Sequence, residues 1–205
     1  MNAGFRLPRG PGAYLCASLV LLAVARSLEG VLTHTMARHM LLHIPLVLCA
    51  GIFAGAALCT GRHRRGARWR RVREMYGKYN ELGVPGLLLG TFVAAYWMIP
   101  KSLDDVLLFP MANAGKYAGL FLAGMVLFDA LRRANNVIKL FFLGNFSWMM
   151  AIVGLVYQEE TSRLCNVYLL GDQEIAGRGL VVLAVAVPVA WLWSARSRAR
   201  RLLAK

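Results

Sequence analysis

The sequence predicts an all-α, polytopic membrane protein, folded as a bundle of about six transmembrane helices. Its 205 residues are 58% hydrophobic, and their mean hydropathy is +0.52. Such values are typical of integral membrane proteins and exclude an ordinary soluble domain. The formal net charge of +14 falls mainly between the apolar segments. We therefore interpret residues 1–205 as a single integral membrane helical domain in contact with membrane lipid.

Each apolar segment is long enough, or nearly long enough, to cross a bilayer. The predicted spans are residues 12–31, 37–60, 84–99, 112–131, 137–157 and 176–193. A cleaved secretory signal is an alternative for the first span, because Ala23-Val24-Ala25 resembles a cleavage site. We favour a retained helix. The stretch 100–110, between two prolines, is expected to be a loop.

The distribution of Lys and Arg predicts which side of the membrane each connection occupies. The basic connections are 62–83, 132–139 and the tail 194–205. The connections near 29–36, 100–111 and 158–175 are less basic or acidic. Because basic connections remain cytoplasmic, both termini are predicted to be cytoplasmic. The positive charge is assigned to orientation and to anionic lipid, and no nucleic-acid partner is expected.

The most unusual stretch is residues 33–51, THTMARHMLLHIPLVLCAG, at the start of the second span. As a helix it places Met36, His39, Met40 and His43 on one face. Polar side chains are costly inside membranes and are usually functional. Imidazole and thioether together suit copper, and thioether favours Cu(I). We therefore predict these four residues as Cu(I) ligands, with His34 as an additional one. The alternative is that they only pack and form interhelical hydrogen bonds.

Residues on the same predicted face are expected to support this site. Glu29 follows Arg26 by three residues, so the two should pair, and Glu29 is also a candidate support for an imidazole. Asp172 is expected either to cap the last helix or to accept a hydrogen bond from a ligand imidazole. We predict that it lies close to His39 and His43. Pro45 is expected to kink its helix.

Two short motifs resemble the CtaG-like family of membrane cytochrome c oxidase assembly factors. The first is His39-Met40 followed by His43, near the outer start of an early helix. The second is Asp172-Gln173 followed by Ala176-Gly177, which is similar to that family's DQ-x-x-(A/G)-G turn into a late helix. This chain is a compact and divergent version of that layout.

The resemblance implies a multi-pass protein of a bacterial inner (plasma) membrane. Such a protein would handle copper on the outer face, to assemble or support a haem–copper oxidase or another copper-containing membrane enzyme. Asp172 and Gln173 would lie beside the ligands. Members of the family commonly carry another His-bearing helix in mid-chain. Here residues 112–131 contain no His, and Lys116, which is expected to snorkel towards the outer surface, stands in that region.

Two other functions remain as alternatives. In the first alternative, the chain is an accessory structural subunit of a membrane enzyme complex. In the second, it is a haem-binding electron carrier. The second is less favoured, because two His at i and i+4 of one helix cannot clamp a haem from both sides. No nucleophile–base pair, phosphate-binding loop or paired-carboxylate site is present in the sequence. An enzyme is therefore not predicted.

Overall fold

The computed structural model describes residues 10–60 and 67–203, and within these ranges it contains helices and no β-strand. The helices are α1 (Pro11–Ser27), α2 (Glu29–Leu32), α3 (Met36–Arg38), α4 (Ile44–Thr60), α5 (Ala67–Tyr79), α6 (Val84–Trp97), α7 (Pro100–Leu108), α8 (Pro110–Arg133), α9 (Asn136–Glu159) and α10 (Leu170–Leu203). A π-helical turn, His39–His43, joins α3 to α4. The prediction of an all-α membrane helix bundle is confirmed.

Four continuous spans are long and apolar enough to cross a membrane: Met36–Thr60, Pro110–Arg133, Asn136–Glu159 and Leu170–Arg196. Helices α6 and α7 form a fifth candidate, but they meet at a bend of 74°. Helix α1 is apolar and has 17 residues, which gives it a length of about 25 Å. That length is slightly less than the hydrocarbon core of a bilayer. The described residues thus provide four or five spans by length and composition.

The prediction that residues 100–110 form a loop is wrong, because most of this stretch is helix α7. Pro100 starts the helix, where its missing N–H costs nothing. Lys101 and Asp105 pair one turn apart at 3.2 Å. Leu103 and Val106 are buried on the opposite side. The helix is only nine residues long. Its amphipathic pattern was therefore too short to recognise, and the two flanking prolines suggested a loop instead.

Helices α4 and α8 cross at very short distance because each has a glycine at the crossing. A Cβ atom on Gly51 would lie 2.1 Å from the carbonyl oxygen of Phe121. A Cβ atom on Gly124 would lie 2.3 Å from the carbonyl oxygen of Leu48. Small residues let membrane helices approach closely where no hydrophobic force draws them together. This crossing holds the first half of α8 beside the π-helical turn.

We expect Gly124→Ala to destabilise the protein by about 1–3 kcal/mol, because the new methyl group meets backbone rather than a movable side chain. Gly119→Ala is the matched control on the same helix, since no atom lies within 4 Å of its Cβ position. Thermal unfolding in detergent measures both variants. Equal unfolding temperatures for the two would contradict the close α4–α8 crossing.

Candidate functional site

The π-helical turn His39–His43 lies directly before Pro45. Proline has no N–H to donate, and its ring crowds the carbonyl group four residues earlier. The backbone widens instead, and the N–H of Ile44 donates to the carbonyl oxygen of His39. Such π-turns are frequent at functional sites. At Pro45, where a kink was expected, the helix therefore widens into a π-helical turn. The ring centroids of His39 and His43 are 5.4 Å apart in this turn.

His39 is completely buried, and both of its ring nitrogens have partners. Its Nδ1 lies 2.9 Å from the Tyr168 hydroxyl, and that hydroxyl donates to the Thr33 carbonyl oxygen at 3.0 Å. A hydroxyl has one proton, so His39 Nδ1–H must be the donor to Tyr168. The Nε2 lone pair of His39 therefore points at the Lys116 ammonium, whose Nζ atom is 3.3 Å away.

His43 is also completely buried, and the same reasoning fixes its tautomer. Its Nε2 lies 3.1 Å from the Tyr117 hydroxyl, which donates to the Ala25 carbonyl oxygen at 3.2 Å. His43 Nε2–H is then the donor, and the lone pair resides on Nδ1. That Nδ1 atom is buried and has no hydrogen-bond partner. A buried acceptor left unpaired costs free energy and calls for an explanation, such as a bound ion.

Lys116 is the cation of the site, and the expectation that it snorkels to the surface is wrong. Its side chain is only 1% exposed, and the carboxylate of Glu29 lies 3.7 Å from its Nζ atom. Glu29 also accepts a hydrogen bond from Asn113 at 2.7 Å and pairs with Arg26 at 2.7 Å. The predicted Arg26–Glu29 pair is thus present. Glu29 holds Lys116, which in turn contacts His39, instead of bonding an imidazole directly.

The other predicted ligands lie in two different environments. Met36 and Met40 are buried in an apolar cluster with Leu103 and Met150. Met40 follows His39 directly and Met36 precedes it by three residues, and both thioethers are shielded from water. His34 is exposed, in the connection between α2 and α3. The structure therefore brings His39 and His43 together and leaves His34 on the surface.

Asp172 and Gln173 occupy the first turn of α10. Helix α10 begins at Leu170, so Asp172 lies inside the first turn and not at the N-cap position that was predicted. The acceptor for the His39 ring N–H is Tyr168, not Asp172. Gln173 is buried, accepts the Leu164 N–H at 2.9 Å and donates to the Tyr157 carbonyl oxygen at 3.2 Å. Gln173 thereby fixes the loop that carries Tyr168.

The loop between α9 and α10 is held by Asp104 of α7. The Asp104 carboxylate accepts the N–H groups of Asn166 at 2.7 Å and Val167 at 3.3 Å. Burial, and secondarily the charge of Asp104, raise the pKa of the Cys165 thiol to about 12. Cys165 is therefore a neutral thiol at physiological pH and does not supply a thiolate ligand. Burial also raises the pKa of Tyr168, which keeps its hydroxyl protonated for the bond to Thr33.

Within residues 10–60 and 67–203, no three His, Cys, Asp or Glu side chains are placed to hold a metal ion. The described residues therefore form no Zn(II) site of the usual kind, which takes four such ligands. Of the two adjacent imidazoles, His43 has an unpaired lone pair, and His39 has one that accepts from Lys116. Two nitrogen ligands of this kind suit Cu(I) better than Zn(II), since Cu(I) tolerates low coordination numbers and accepts thioether ligands.

No family model, curated protein or solved structure matches this chain. The resemblance to the CtaG-like family therefore rests on the two motifs alone. The contact that the structure shows is made by Tyr168, which precedes the Asp172-Gln173 motif by four residues and bonds His39 of the other motif.

Four residues complete the network but were not predicted to belong to the site: Asn113, Lys116, Tyr117 and Tyr168. One signal was present, because a lysine inside an apolar helix is costly and marks a functional position. The two tyrosines gave no such signal, since Tyr at a membrane interface is common.

Proposed function

We propose that this protein binds Cu(I) between His39 and His43 on the outer face of a bacterial inner membrane and passes it to a copper-containing membrane enzyme, such as a haem–copper oxidase. The observation that carries the proposal is the buried Nδ1 atom of His43, which has no partner. This Nδ1 atom belongs to the His43 ring, whose centroid lies 5.4 Å from that of the His39 ring. The protein acts as a carrier and is not an enzyme.

Three features support a transient copper site. First, the two hydroxyl groups of Tyr117 and Tyr168 fix the tautomers, so each imidazole presents one lone pair. Partners of this kind orient ligand imidazoles in metal sites. Second, Met36 and Met40 are buried thioethers that lie close in sequence to the two imidazoles. Third, the chain itself supplies few ligands in the part that the structure describes, so a partner protein completes the coordination during transfer.

The haem alternative has less support from the geometry. A haem with two axial imidazoles needs them on opposite faces of the ring. His39 and His43 belong to one helical turn, and their Nε2 atoms face Lys116 and Tyr117. Among the described residues, the remaining histidine, His34, is exposed and lies in the short connection just before the same helical turn.

The role of an accessory structural subunit is the second candidate. It is favoured by the hydrogen bonds that join separate elements through this network, notably Tyr168 to Thr33 and Tyr117 to Ala25. Such bonds between membrane helices stabilise a bundle without any ligand. In this case the two histidines serve only as hydrogen-bonding groups.

Competition titration with a Cu(I) chelator separates the two candidates. We expect the His39→Ala/His43→Ala variant to bind Cu(I) more than about 100-fold more weakly than the wild type, because both proposed nitrogen ligands are removed. His34→Ala is the matched control, since it removes an exposed imidazole from the preceding connection. It should retain wild-type affinity. If the double variant and the wild type hold the same amount of copper, the structural candidate replaces the copper proposal.

A further inference from the structure

The ammonium group of Lys116 is the least expected neighbour of a metal ligand. Its Nζ atom lies 3.3 Å from His39 Nε2, and this is the lone pair that a metal ion would use. Lys116 is 1% exposed, so its charge is poorly screened by water. Its counter-ion, Glu29, is 3.7 Å away and is shared with Arg26.

We propose that Lys116 is a specificity-determining residue that makes this site select a monovalent ion, Cu(I), over divalent ions such as Zn(II). This inference rests on the proposed function. The Coulomb repulsion between an ion and a fixed positive charge is proportional to the charge of the ion. A divalent ion on His39 is therefore disfavoured by Lys116 twice as strongly, in free energy, as Cu(I).

The surroundings of Lys116 indicate that its charge stays close when an ion binds. The ion must break the hydrogen bond from Lys116 to His39, and Glu29 is the nearest acceptor for the released ammonium. The aromatic ring of Tyr117 also lies beside the ammonium group, with its centroid 5.3 Å from Nζ. The lysine therefore withdraws only from the lone pair and remains within a few ångströms of the ligands.

The charges around the site agree with this selection. One carboxylate, Glu29, lies next to both Lys116 and Arg26, so it offsets only part of their combined positive charge. Sites for divalent ions often include carboxylates or thiolates, which offset the charge of the ion. The described residues place no such group of three around the imidazoles. The balance of fixed charge thus favours the ion of lower charge.

Paired titrations with Cu(I) and Zn(II) test the inference. We expect Lys116→Leu to raise Cu(I) affinity by about 10-fold and Zn(II) affinity by about 100-fold, since doubling the ionic charge squares the fold-change. Lys116→Gln removes the charge but keeps a donor, and it should shift the Zn(II)-to-Cu(I) ratio in the same direction. Lys101→Leu is the control, because it removes an 82% exposed lysine that is paired with Asp105.

The outcomes distinguish this inference from the proposed function. If the wild type binds Cu(I) through His39 and His43 but both Lys116 variants leave the Zn(II)-to-Cu(I) ratio unchanged, charge selection is overturned and the copper site stands. Equal gains in affinity for Cu(I) and Zn(II) in Lys116→Leu overturn charge selection as well. Lys116 would then act only by forming a hydrogen bond with the His39 Nε2 lone pair. If the wild type holds no Cu(I), the proposed function itself fails.

Discussion

Glu29→Gln is expected to lower the free energy of unfolding by about 3 kcal/mol, because it leaves the buried Lys116 ammonium without its counter-ion. Glutamine keeps the size of the side chain and a hydrogen-bond acceptor for Asn113, so the lost charge dominates the effect. Removal of the other partner of the ion pair, with Lys116→Leu, is expected to lower the free energy of unfolding much less. Glu29 is 15% exposed and retains its contacts with Arg26 and Asn113.

The double variant Glu29→Gln/Lys116→Leu makes this prediction specific. It removes both charges, so most of the stability lost in Glu29→Gln should return. Reversible unfolding in detergent, followed by the helical circular dichroism signal, measures all four proteins of the cycle. Wild-type stability for Glu29→Gln would show that Lys116 is not held by this carboxylate.

Tyr168→Phe is expected to weaken Cu(I) binding by about 10- to 100-fold, although Tyr168 is not a ligand in our proposal. The Tyr168 hydroxyl accepts the His39 Nδ1–H, which keeps the lone pair on Nε2. Without that acceptor the ring loses the bond that fixes its tautomer and orientation. The carbonyl oxygen of Thr33 also loses its donor.

Tyr157→Phe is the matched control for this prediction. Tyr157 is buried in the same apolar cluster, and its hydroxyl donates to the Met98 carbonyl oxygen at 2.6 Å, away from the imidazoles. Its loss should reduce stability to a similar extent and leave Cu(I) affinity unchanged. Equal losses of affinity in the two variants would mean that the effect of Tyr168 is only structural.

The bundle was predictable because hydropathy alone identifies segments that must bury their backbone polar groups in helices. The close contact of His39 and His43 also followed from their spacing, since residues four apart are neighbours on any helical turn. The widening at Pro45 changed the backbone type but kept these rings adjacent. Local information in the sequence was sufficient for these features.

The rest of the site depends on contacts between distant parts of the chain. Lys116 lies 77 positions after His39, and Tyr168 lies 129 positions after it. No local pattern fixes which face of α8 meets the π-helical turn, because that depends on where Gly51 and Gly124 allow the helices to cross. For the same reason, the sequence suggested Asp172 as the partner of an imidazole, whereas Tyr168 has that position.

Copper-edge X-ray absorption spectroscopy of the full-length protein, loaded with Cu(I) at less than one equivalent, tests the copper site most directly. Our account predicts nitrogen ligands with the outer-shell scattering of imidazole, present in the wild type and in His34→Ala and absent from His39→Ala/His43→Ala. A sulfur contribution would identify Met36 or Met40 as an additional ligand. A spectrum without imidazole scattering, or one unchanged in the double variant, would contradict the assignment of His39 and His43 as the copper ligands.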